Sequence, residues 1–271
     1  MPPHKTRTRD DASQGIYEGG YAGPRHAPNA LRGLRRSFDI YYRDHDRTAR
    51  MDRLNAALVA PGSVVFDIGA HVGDRTGSFL RLGATVVALE PQPLVFRALR
   101  RIYGRCPRAT LLPMAAGARK GELDFFLNPG NPTVATAARE FISAASGAAG
   151  WEGQTWDGLT QVRVTTLDTL IEQHGVPDFV KIDVEGYEAE VLKGVSIALP
   201  LLSFEVTTIQ RAAGDECIDR LSMLGAYRFN MSVGEDHVMQ FRNWVGVGEM
   251  RQRIIDLPHD TNAFDVYARR V

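Results

Sequence analysis

The stretch VVFDIGAHVGD, residues Val64 to Asp74, decides the fold. An apolar run leads into Asp67, and two glycines follow four residues apart, at Gly69 and Gly73. A buried strand, a sharp turn and a helix explain this order, because glycine lets the backbone turn tightly and lets a ligand approach it closely. The stretch therefore predicts a nucleotide-binding turn after the first strand of the domain.

Strand-like and helix-like segments alternate along the chain after this turn. The apolar strand segments are separated by short helical ones, which is typical of a sheet that is covered by helices on both faces. The predicted strands are 63–69, 84–91, 109–117, 177–186, 199–207, 227–233 and 263–271. Their order predicts an α/β fold with a doubly wound, mostly parallel, Rossmann-like sheet.

Three segments fall outside this alternation. Residues 1–60 are expected to form an N-terminal extension with a helix, which caps the fold or contacts substrate or a second copy. Residues 61–271 form the main domain, with insertions at 121–166 and 234–260. We expect the first insertion to be a β-hairpin arm carrying a mobile flap and the second to be a lid, because long insertions in compact domains are commonly functional.

The composition restricts the class of partner. Lys plus Arg and Asp plus Glu both number 32, so no net charge draws the chain to nucleic acid or to an anionic membrane. Cys106 and Cys217 lie far apart, which argues against a disulfide scaffold or a zinc cluster and fits a cytoplasmic location. We see no secretory leader and no apolar run of about 18 residues that would span a membrane.

The glycine turn departs from the dinucleotide pattern G-x-G-x-x-G. The sequence reads Gly69-Ala70-His71-Val72-Gly73, so His71 stands where the second glycine would let a diphosphate approach. This favours a ligand with no phosphate at that point. S-adenosylmethionine meets that condition, with its methionine end over the turn and its ammonium near Asp67.

The ends of the next two strands supply the rest of the expected cofactor pocket. Glu90 ends the second strand, where a carboxylate can accept hydrogen bonds from both ribose hydroxyls. Pro91 and Gln92 follow and would line the adenine pocket, with Met114 and Ala115 beside the ring. The predicted cofactor-binding residues are Asp67, Gly69, Ala70, His71, Gly73, Glu90, Pro91, Gln92, Met114, Ala115 and Asp183.

Several of these segments together resemble a known family. VVFDIGAHVGD, ALEPQP, TTLDTL, DFVKIDVEGYEAEVLKG and LSFEV are similar, in this order, to the FkbM-type S-adenosylmethionine-dependent methyltransferases. The resemblance covers about residues 60–207. It implies a seven-stranded sheet whose last strand is antiparallel, and O-methylation of a hydroxyl on a small molecule such as a sugar or natural product.

The fourth predicted strand carries charge where a buried strand should be apolar. Lys181, Asp183 and Glu185 alternate with apolar residues, so they share one side of the strand or its exit. Asp183 is the first candidate to take the acceptor's proton or to position it, with His71 and His237 as further catalytic candidates. Glu185 is expected to hold substrate or to begin the next helix, while a structural Lys181–Asp183 ion pair stays open.

Other candidates lie on the fifth strand and in the insertions. Glu205 is a further substrate candidate, and with Asp183 it offers oxygens to Mg²⁺, but the sequence shows no third acidic partner. A metal is therefore not favoured. Trp151 and Trp244 lie in or beside the insertions and are expected to stack on the acceptor or to anchor the flap.

Other functions stay open on the sequence alone. A nicotinamide-dependent oxidoreductase would use the same layered fold, but it would require the second glycine of G-x-G-x-x-G, which this sequence lacks. A nucleic-acid methyltransferase is disfavoured by Asp183-Val184-Glu185-Gly186, which lacks the Asn/Asp-Pro-Pro-aromatic pattern of amino-base enzymes. A non-catalytic module that binds S-adenosylmethionine, and assembly into a homo-oligomer, also stay open.

Overall fold

A computed structural model describes residues 27–271 of the chain. Its centre is a seven-stranded sheet in the spatial order β3-β2-β1-β7-β8-β10-β9. These strands are β1 (Val64–Ile68), β2 (Thr85–Leu89), β3 (Ala109–Leu112), β7 (Phe179–Ile182), β8 (Leu201–Thr207), β9 (Tyr227–Val233) and β10 (Ala263–Arg270). The order reverses between β1 and β7, and ligands bind at such a point in open α/β sheets.

The helices of the described region alternate with these strands. They are α1 (Ala27–Arg43), α2 (His45–Ala56), α3 (Asp74–Arg81), α4 (Pro93–Tyr103), α5 (Arg139–Ala145), α6 (Leu167–His174), α7 (Glu188–Lys193), α8 (Arg211–Leu224) and α9 (Val247–Asp256). Two short 3₁₀ helices cover Pro132–Val134 and His259–Thr261. None of the helices in residues 27–271 combines the length and the apolar character needed to cross a membrane.

The sheet is parallel except for its last strand. β10 lies antiparallel between β8 and β9, with Val266 opposite Phe204 and Met231. The predicted doubly wound fold with an antiparallel last strand is thereby confirmed. This arrangement brings Asp265 of β10 opposite Glu205 of β8, so two acids that are distant in sequence lie side by side.

Each face of the sheet carries its own apolar core. Alternate residues of a strand point to opposite faces, so Phe66 and Phe204 pack on one face while Phe179 packs on the other, against Phe79 of α3. Near-continuous apolar strands such as β1 are required because both faces are covered. This two-sided burial holds the strand ends, and the side chains that follow them, in fixed positions.

A second, smaller sheet carries the predicted hairpin. It contains β4 (Ala115–Ala116), β6 (Gly158–Thr165) and β5 (Gly121–Leu127) in that spatial order, with β5 and β6 antiparallel. The segment between β5 and β6 folds as α5 and a small core in which Phe141 packs edge-on against Trp151. The middle of this insertion is therefore a packed unit of the structure.

Some sequence-predicted bounds were wrong. The segment 109–117 is two strands, because Pro113 interrupts the pairing and β4 joins the second sheet. The strand predicted at 177–186 ends at Ile182, so Asp183 and Glu185 lie beyond it. Helices α5, α6 and α9 were not predicted.

The core around β8 gives a direct test of the packing. Phe204 is fully buried between the helices and the sheet. Phe204→Ala should lower the free energy of unfolding by about 3–5 kcal/mol, because it removes apolar contacts and leaves a cavity. Urea denaturation measures this change. Met223→Ala, at a side chain that is 76% exposed, should change the free energy by less than about 0.5 kcal/mol; equal effects of the two substitutions would contradict the assigned core.

Candidate active site

The turn after β1 lies against the end of β7. Gly69 has φ of +85°, and a Cβ there would lie 1.8 Å from the carbonyl oxygen of Asp183. The amides of Gly69 and Ala70 both donate to the carbonyl oxygen of Leu89 at the end of β2. Only glycine fits this position. The ends of β1, β2 and β7 therefore meet around one cavity, called here the first cavity, whose lining includes Gly69, Glu90 and Asp183.

Two buried carboxylates face the first cavity from β1 and β2. Asp67 is 1% exposed and accepts a hydrogen bond of 2.5 Å from the Thr76 hydroxyl. Glu90 accepts one backbone N–H on each oxygen, from His71 at 3.0 Å and from Gln92 at 2.7 Å. Burial raises the pKa of Asp67 to about 6 and that of Glu90 to about 7, against the opposing effect of these hydrogen bonds.

The end of β7 carries an ion-pair network. The ammonium of Lys181 lies 3.1 Å from Asp183 Oδ2 and 2.8 Å from Asp265 Oδ1. Burial alone would lower the pKa of Lys181, but the carboxylates of Asp183, Asp265 and Glu205 outweigh it and raise the pKa. Lys181 is therefore a fixed positive charge, and the Lys181–Asp183 pair that the sequence left open is present. Asp183 still lines the first cavity.

Two further carboxylates join Asp183 at this edge. Carboxylate oxygens of Asp183, Glu185 and Glu205 all lie within 4.8 Å of one another. The sequence argument against a metal assumed no third acidic partner, and that premise was wrong: Glu185 lies beyond the strand and turns back into the cluster. Burial and the neighbouring Asp183 raise the pKa of both Glu185 and Glu205. These three residues are the group in the described chain that could hold a cation.

A strained turn directs Glu185 into the site. Glu185 has φ of +55°, which is unfavourable for a residue with a side chain. The Thr136 hydroxyl donates to its carbonyl at 2.7 Å, and Glu188 Oε1 accepts the amides of Val184 and Gly186 at 3.0 and 3.3 Å. The hydrogen bonds around the turn thus hold Glu185 in a buried position, where only 7% of the residue is exposed.

The N-terminal helices and the second insertion cover the site. Arg47 of α2 binds Asp74 at 2.9 Å and Glu235 at 2.6 Å, and Arg75 binds the same two acids at 2.7 and 3.1 Å. The guanidinium of Arg47 also lies 4.9 Å from the centre of the Tyr41 ring, a cation–π contact. Tyr41, Arg75 and Glu235 line the first cavity, so helix α1 and residues 234–260 form part of its walls.

The two histidine candidates occupy different positions. His71 lines the first cavity, with its Nε2 3.4 Å from Ser37 Oγ. Its Nδ1 is buried and has no hydrogen-bond partner among residues 27–271. Burial lowers the pKa of His71 to about 4, so its ring is neutral at neutral pH. His237 does not line the first cavity, and its Nε2 lies 3.0 Å from Glu235 Oε2. His237 therefore reaches the site through Glu235.

Most of the predicted cofactor residues are brought together. The first cavity is lined by Asp67, Gly69, Ala70, His71, Glu90, Pro91, Gln92, Met114, Ala115 and Asp183. Gly73 is not in the lining; a Cβ there would meet Leu99 at 2.5 Å and Tyr103 at 2.6 Å, so it allows α3 to begin against α4.

The substrate candidates are divided. Glu185 and Glu205 line both the first cavity and a second cavity, which also includes Trp151, Thr207 and Asp265 in its lining. Trp244 lies elsewhere, with the Arg269 guanidinium 4.2 Å from its ring centre. The sequence missed several wall residues, and the signals that could have found them are weak. These residues are Tyr41, Arg75, Glu235 and Asp265.

A doubly wound sheet with a glycine turn and a second-strand acid at its carboxyl edge is typical of nucleotide-binding proteins of the Rossmann-like class. The family model described as "Methyltransferase FkbM domain" matches residues 67–254 of this chain. That range contains the glycine turn, Glu90 and the carboxylate cluster. The chain belongs to the FkbM methyltransferase family, and it is a methyltransferase.

Two named relatives are similar over much of the chain. The hexuronic acid methyltransferase AglP of Haloferax volcanii is 26% identical over 196 residues, which cover 71% of this chain and 75% of that protein. The 31-O-demethyl-FK506 methyltransferase FkbM of Streptomyces tacrolimicus is 32% identical over 161 residues, covering 51% of this chain and 61% of that protein.

Similarity to solved structures is more distant. A TehB-like S-adenosylmethionine-dependent methyltransferase from Corynebacterium glutamicum has a TM-score of 0.45 at 11% identity, covering 92% of this chain and 100% of that one. An O-methyltransferase from Bacillus cereus in complex with S-adenosylhomocysteine has a TM-score of 0.41 at 11% identity, covering 92% of each chain.

Glu188, which supports the turn at Glu185, should make the stability of the fold depend on pH. Burial raises the pKa of Glu188 to about 7. A carboxyl with a raised folded-state pKa stabilises the fold below its unfolded pKa, and this contribution is lost as pH rises through about 7. Glu188→Gln keeps an oxygen for the Val184 amide but cannot titrate. The unfolding free energy of the unmodified protein should decrease between about pH 4.5 and 7. In the Glu188→Gln variant this decrease should be smaller by roughly 3 kcal/mol.

Urea denaturation across this pH range measures the difference. Glu172→Gln, at an exposed side chain on α6, serves as the control and should keep the full slope. The same slope in the Glu188→Gln variant and the unmodified protein would show that Glu188 does not titrate as the buried group described here.

Proposed function

We propose that this protein transfers a methyl group from S-adenosylmethionine to a hydroxyl of a small molecule such as a sugar or natural product. The observation that carries the proposal is the first cavity, where the glycine turn, Glu90 and Asp183 meet at the carboxyl edge of the sheet. We further propose that the protein works in the cytoplasm, in natural-product or sugar biosynthesis, and that it does not act on nucleic acid.

The charge of the first cavity favours a cationic cofactor over a dinucleotide. Asp67 and Glu90 line it without a cation in ion-pair contact among residues 27–271, whereas its cations Arg75 and Lys181 are already paired with acids. A diphosphate would meet these carboxylates at close range and would be repelled. A sulfonium and an ammonium would be attracted, which supports S-adenosylmethionine over the nicotinamide alternative.

The donor set suits each part of that cofactor. Each Glu90 oxygen has one backbone N–H and keeps room for a ribose hydroxyl, since a carboxylate oxygen accepts about two hydrogen bonds. The Gln92 amide nitrogen donates to the Pro132 carbonyl at 2.9 Å, which fixes the side chain beside the expected adenine position. Met114 and Ala115 supply apolar contacts for the ring.

Binding requires the cover to move. The first cavity has a volume of about 90 Å³, whereas pockets for ligands of nucleoside size measure roughly 300–1,000 Å³. Tyr41 comes from the covering helix α1 and Arg75 from the first turn of α3, and both line this space. We expect these two side chains to shift when the cofactor enters, with the Arg47–Glu235 pair acting as the contact that has to yield.

Asp183, Glu185 and Glu205 form the rim of the first cavity, and these residues would align the acceptor and take its proton. When bound, S-adenosylmethionine supplies a methyl group already activated by its sulfonium. The protein has to hold the acceptor oxygen in line with the methyl carbon and the sulfur, a positioning task, and a carboxylate has to accept the hydroxyl proton. Asp183 is held by Lys181 in a fixed orientation, which suits a residue that positions the hydroxyl and receives its proton.

The relatives favour oxygen as the acceptor atom without naming the acceptor. AglP is named for hexuronic acid and FkbM for a 31-O-demethyl compound, and both names fit transfer to a hydroxyl-bearing molecule. A non-catalytic binding module is disfavoured because Asp183, Glu185 and Glu205 converge where the methyl group would lie. We therefore propose hydroxyl methylation for this chain, and we assign it neither of these two acceptors.

Loss of Glu90 tests the ribose contact. Glu90→Ala should weaken S-adenosylmethionine binding by more than about 1.5 kcal/mol, because a charged hydrogen-bonding partner is removed. Calorimetry measures the affinity, and thermal unfolding of the variant checks that the turn, which Glu90 also supports, stays folded. An unchanged affinity in a folded variant would remove Glu90 from the pocket, and Glu172→Ala should leave binding as it is.

Loss of the Asp183 charge tests the proton step. Asp183→Asn should slow turnover by at least about a hundredfold while cofactor affinity stays near normal. Release of S-adenosylhomocysteine with a hydroxyl acceptor from a sugar panel measures turnover. Full activity in the variant would move the proton acceptor to another residue of the rim.

A further inference from the structure

The second cavity lies directly beside the first and is large enough for part of an acceptor. Its volume is about 250 Å³. Tyr41, Arg75, Glu185 and Glu205 line both cavities, so the two share a wall at the place where Asp183 approaches the cofactor position. A molecule in the second cavity would therefore present its hydroxyl to the first.

The charges lining the second cavity do not balance. Its acids are Glu185, Glu205, Glu235 and Asp265, and its cation is Arg75. Glu235 is bound by Arg47 and Arg75, and Asp265 is bound by Lys181. Among residues 27–271, neither Glu185 nor Glu205 has a cation within ion-pair distance. Lys181 acts on both carboxyls from beyond that distance and opposes the rise of their pKa, but neither of them makes an ion pair.

This surplus is maintained by the fold. The strained turn holds Glu185 in the cavity, where it is 7% exposed. A buried carboxylate without a partner is unfavourable, and the raised pKa of both Glu185 and Glu205, caused by burial and by neighbouring acids, reflects that cost. The arrangement becomes favourable when a ligand brings positive charge.

An independent feature of the same cavity also lacks a partner. Trp151 is 7% exposed and lines the second cavity, and its indole N–H has no hydrogen-bond acceptor in the described structure. A buried donor of this kind needs an oxygen. The ligand that completes the cavity therefore carries both positive charge and an acceptor oxygen.

An ammonium group fits this demand better than a divalent metal ion. Asp183, the third acid of the cluster, already has Lys181 at 3.1 Å on its Oδ2, so a metal ion bound there would lie close to another positive charge. A primary ammonium has three donors, which two carboxylates can accept.

We propose that the second cavity binds the methyl acceptor as a hydroxyl compound bearing an ammonium group, with Glu185 and Glu205 binding the ammonium and the Trp151 N–H donating to an oxygen. Acidic acceptors are excluded by the same two carboxylates. This inference rests on the proposed methyl transfer, since it names the acceptor of that reaction.

A matched set of probes tests it. Methyl glucosides with CH₂NH₃⁺, CH₂OH or COO⁻ at C6 differ only in charge-bearing group, and each is titrated into the full chain with S-adenosylhomocysteine bound, in buffer containing EDTA. Affinity should fall in that order, with about tenfold or more between the amino and carboxylate probes, the effect of one desolvated charge pair. A carboxylate probe that binds as well as the amino probe, or no binding by any probe, overturns the inference.

A variant identifies the residues responsible. Glu205→Gln should reduce the preference for the amino probe by about tenfold, and Glu172→Gln on the exposed face of α6 should leave it unchanged. An unchanged preference in Glu205→Gln overturns the assignment. The assignment is also overturned if added Mg²⁺ makes the carboxylate probe bind as tightly as the amino probe, because a metal ion would then occupy the carboxylate cluster.

The same titrations separate this inference from the proposed function. Binding of S-adenosylhomocysteine itself, measured first by calorimetry, supports the cofactor assignment whatever the probes do. If it binds and the probes show no preference for positive charge, only the acceptor class fails. If it does not bind, the proposed methyl transfer fails as well.

Discussion

The close approach of Gly69 to the carbonyl of Asp183 is the constraint on which the site depends. Because a Cβ at Gly69 would lie 1.8 Å from that oxygen, the turn after β1 can sit against the end of β7 only as glycine. The same turn donates two amides to Leu89 at the end of β2. Three strand ends are thereby fixed together, and the carboxylates that follow them face one cavity. A larger residue at this position would separate the cofactor pocket from the residues that carry the chemistry.

The second theme of the structure is an excess of carboxylates over free cations. Lys181 and Arg75 are each bound by two acids, so they orient the rim and the cover but offer little charge to a ligand. Glu185 and Glu205 are left without such partners. Burial makes this arrangement costly in the absence of ligand, and sites that hold such groups are commonly functional. A positively charged cofactor and a positively charged acceptor would each relieve part of that cost.

The sequence predicted the parts of the site that follow directly from strand ends. The apolar run before Asp67, the acid at Glu90 and the charged exit at Asp183 are local signals, and the cavity brings these residues together. Parts that depend on distant contacts were missed. Asp265 reaches the rim because β10 inserts antiparallel beside β8, and Tyr41 and Glu235 arrive with segments that have no strand periodicity. Glu185 was expected on the strand. Its left-handed turn depends on a hydrogen bond that Thr136 donates and on one that Glu188 accepts, and no local pattern reveals either.

The most direct test of the central claim is a crystal structure of the protein with S-adenosylhomocysteine bound. The account predicts the ribose hydroxyls within hydrogen-bond distance of the Glu90 carboxylate and the amino-acid end over residues 69–71, with the sulfur directed toward Asp183. A nucleoside bound elsewhere, or one whose ribose makes no contact with Glu90, would contradict the account.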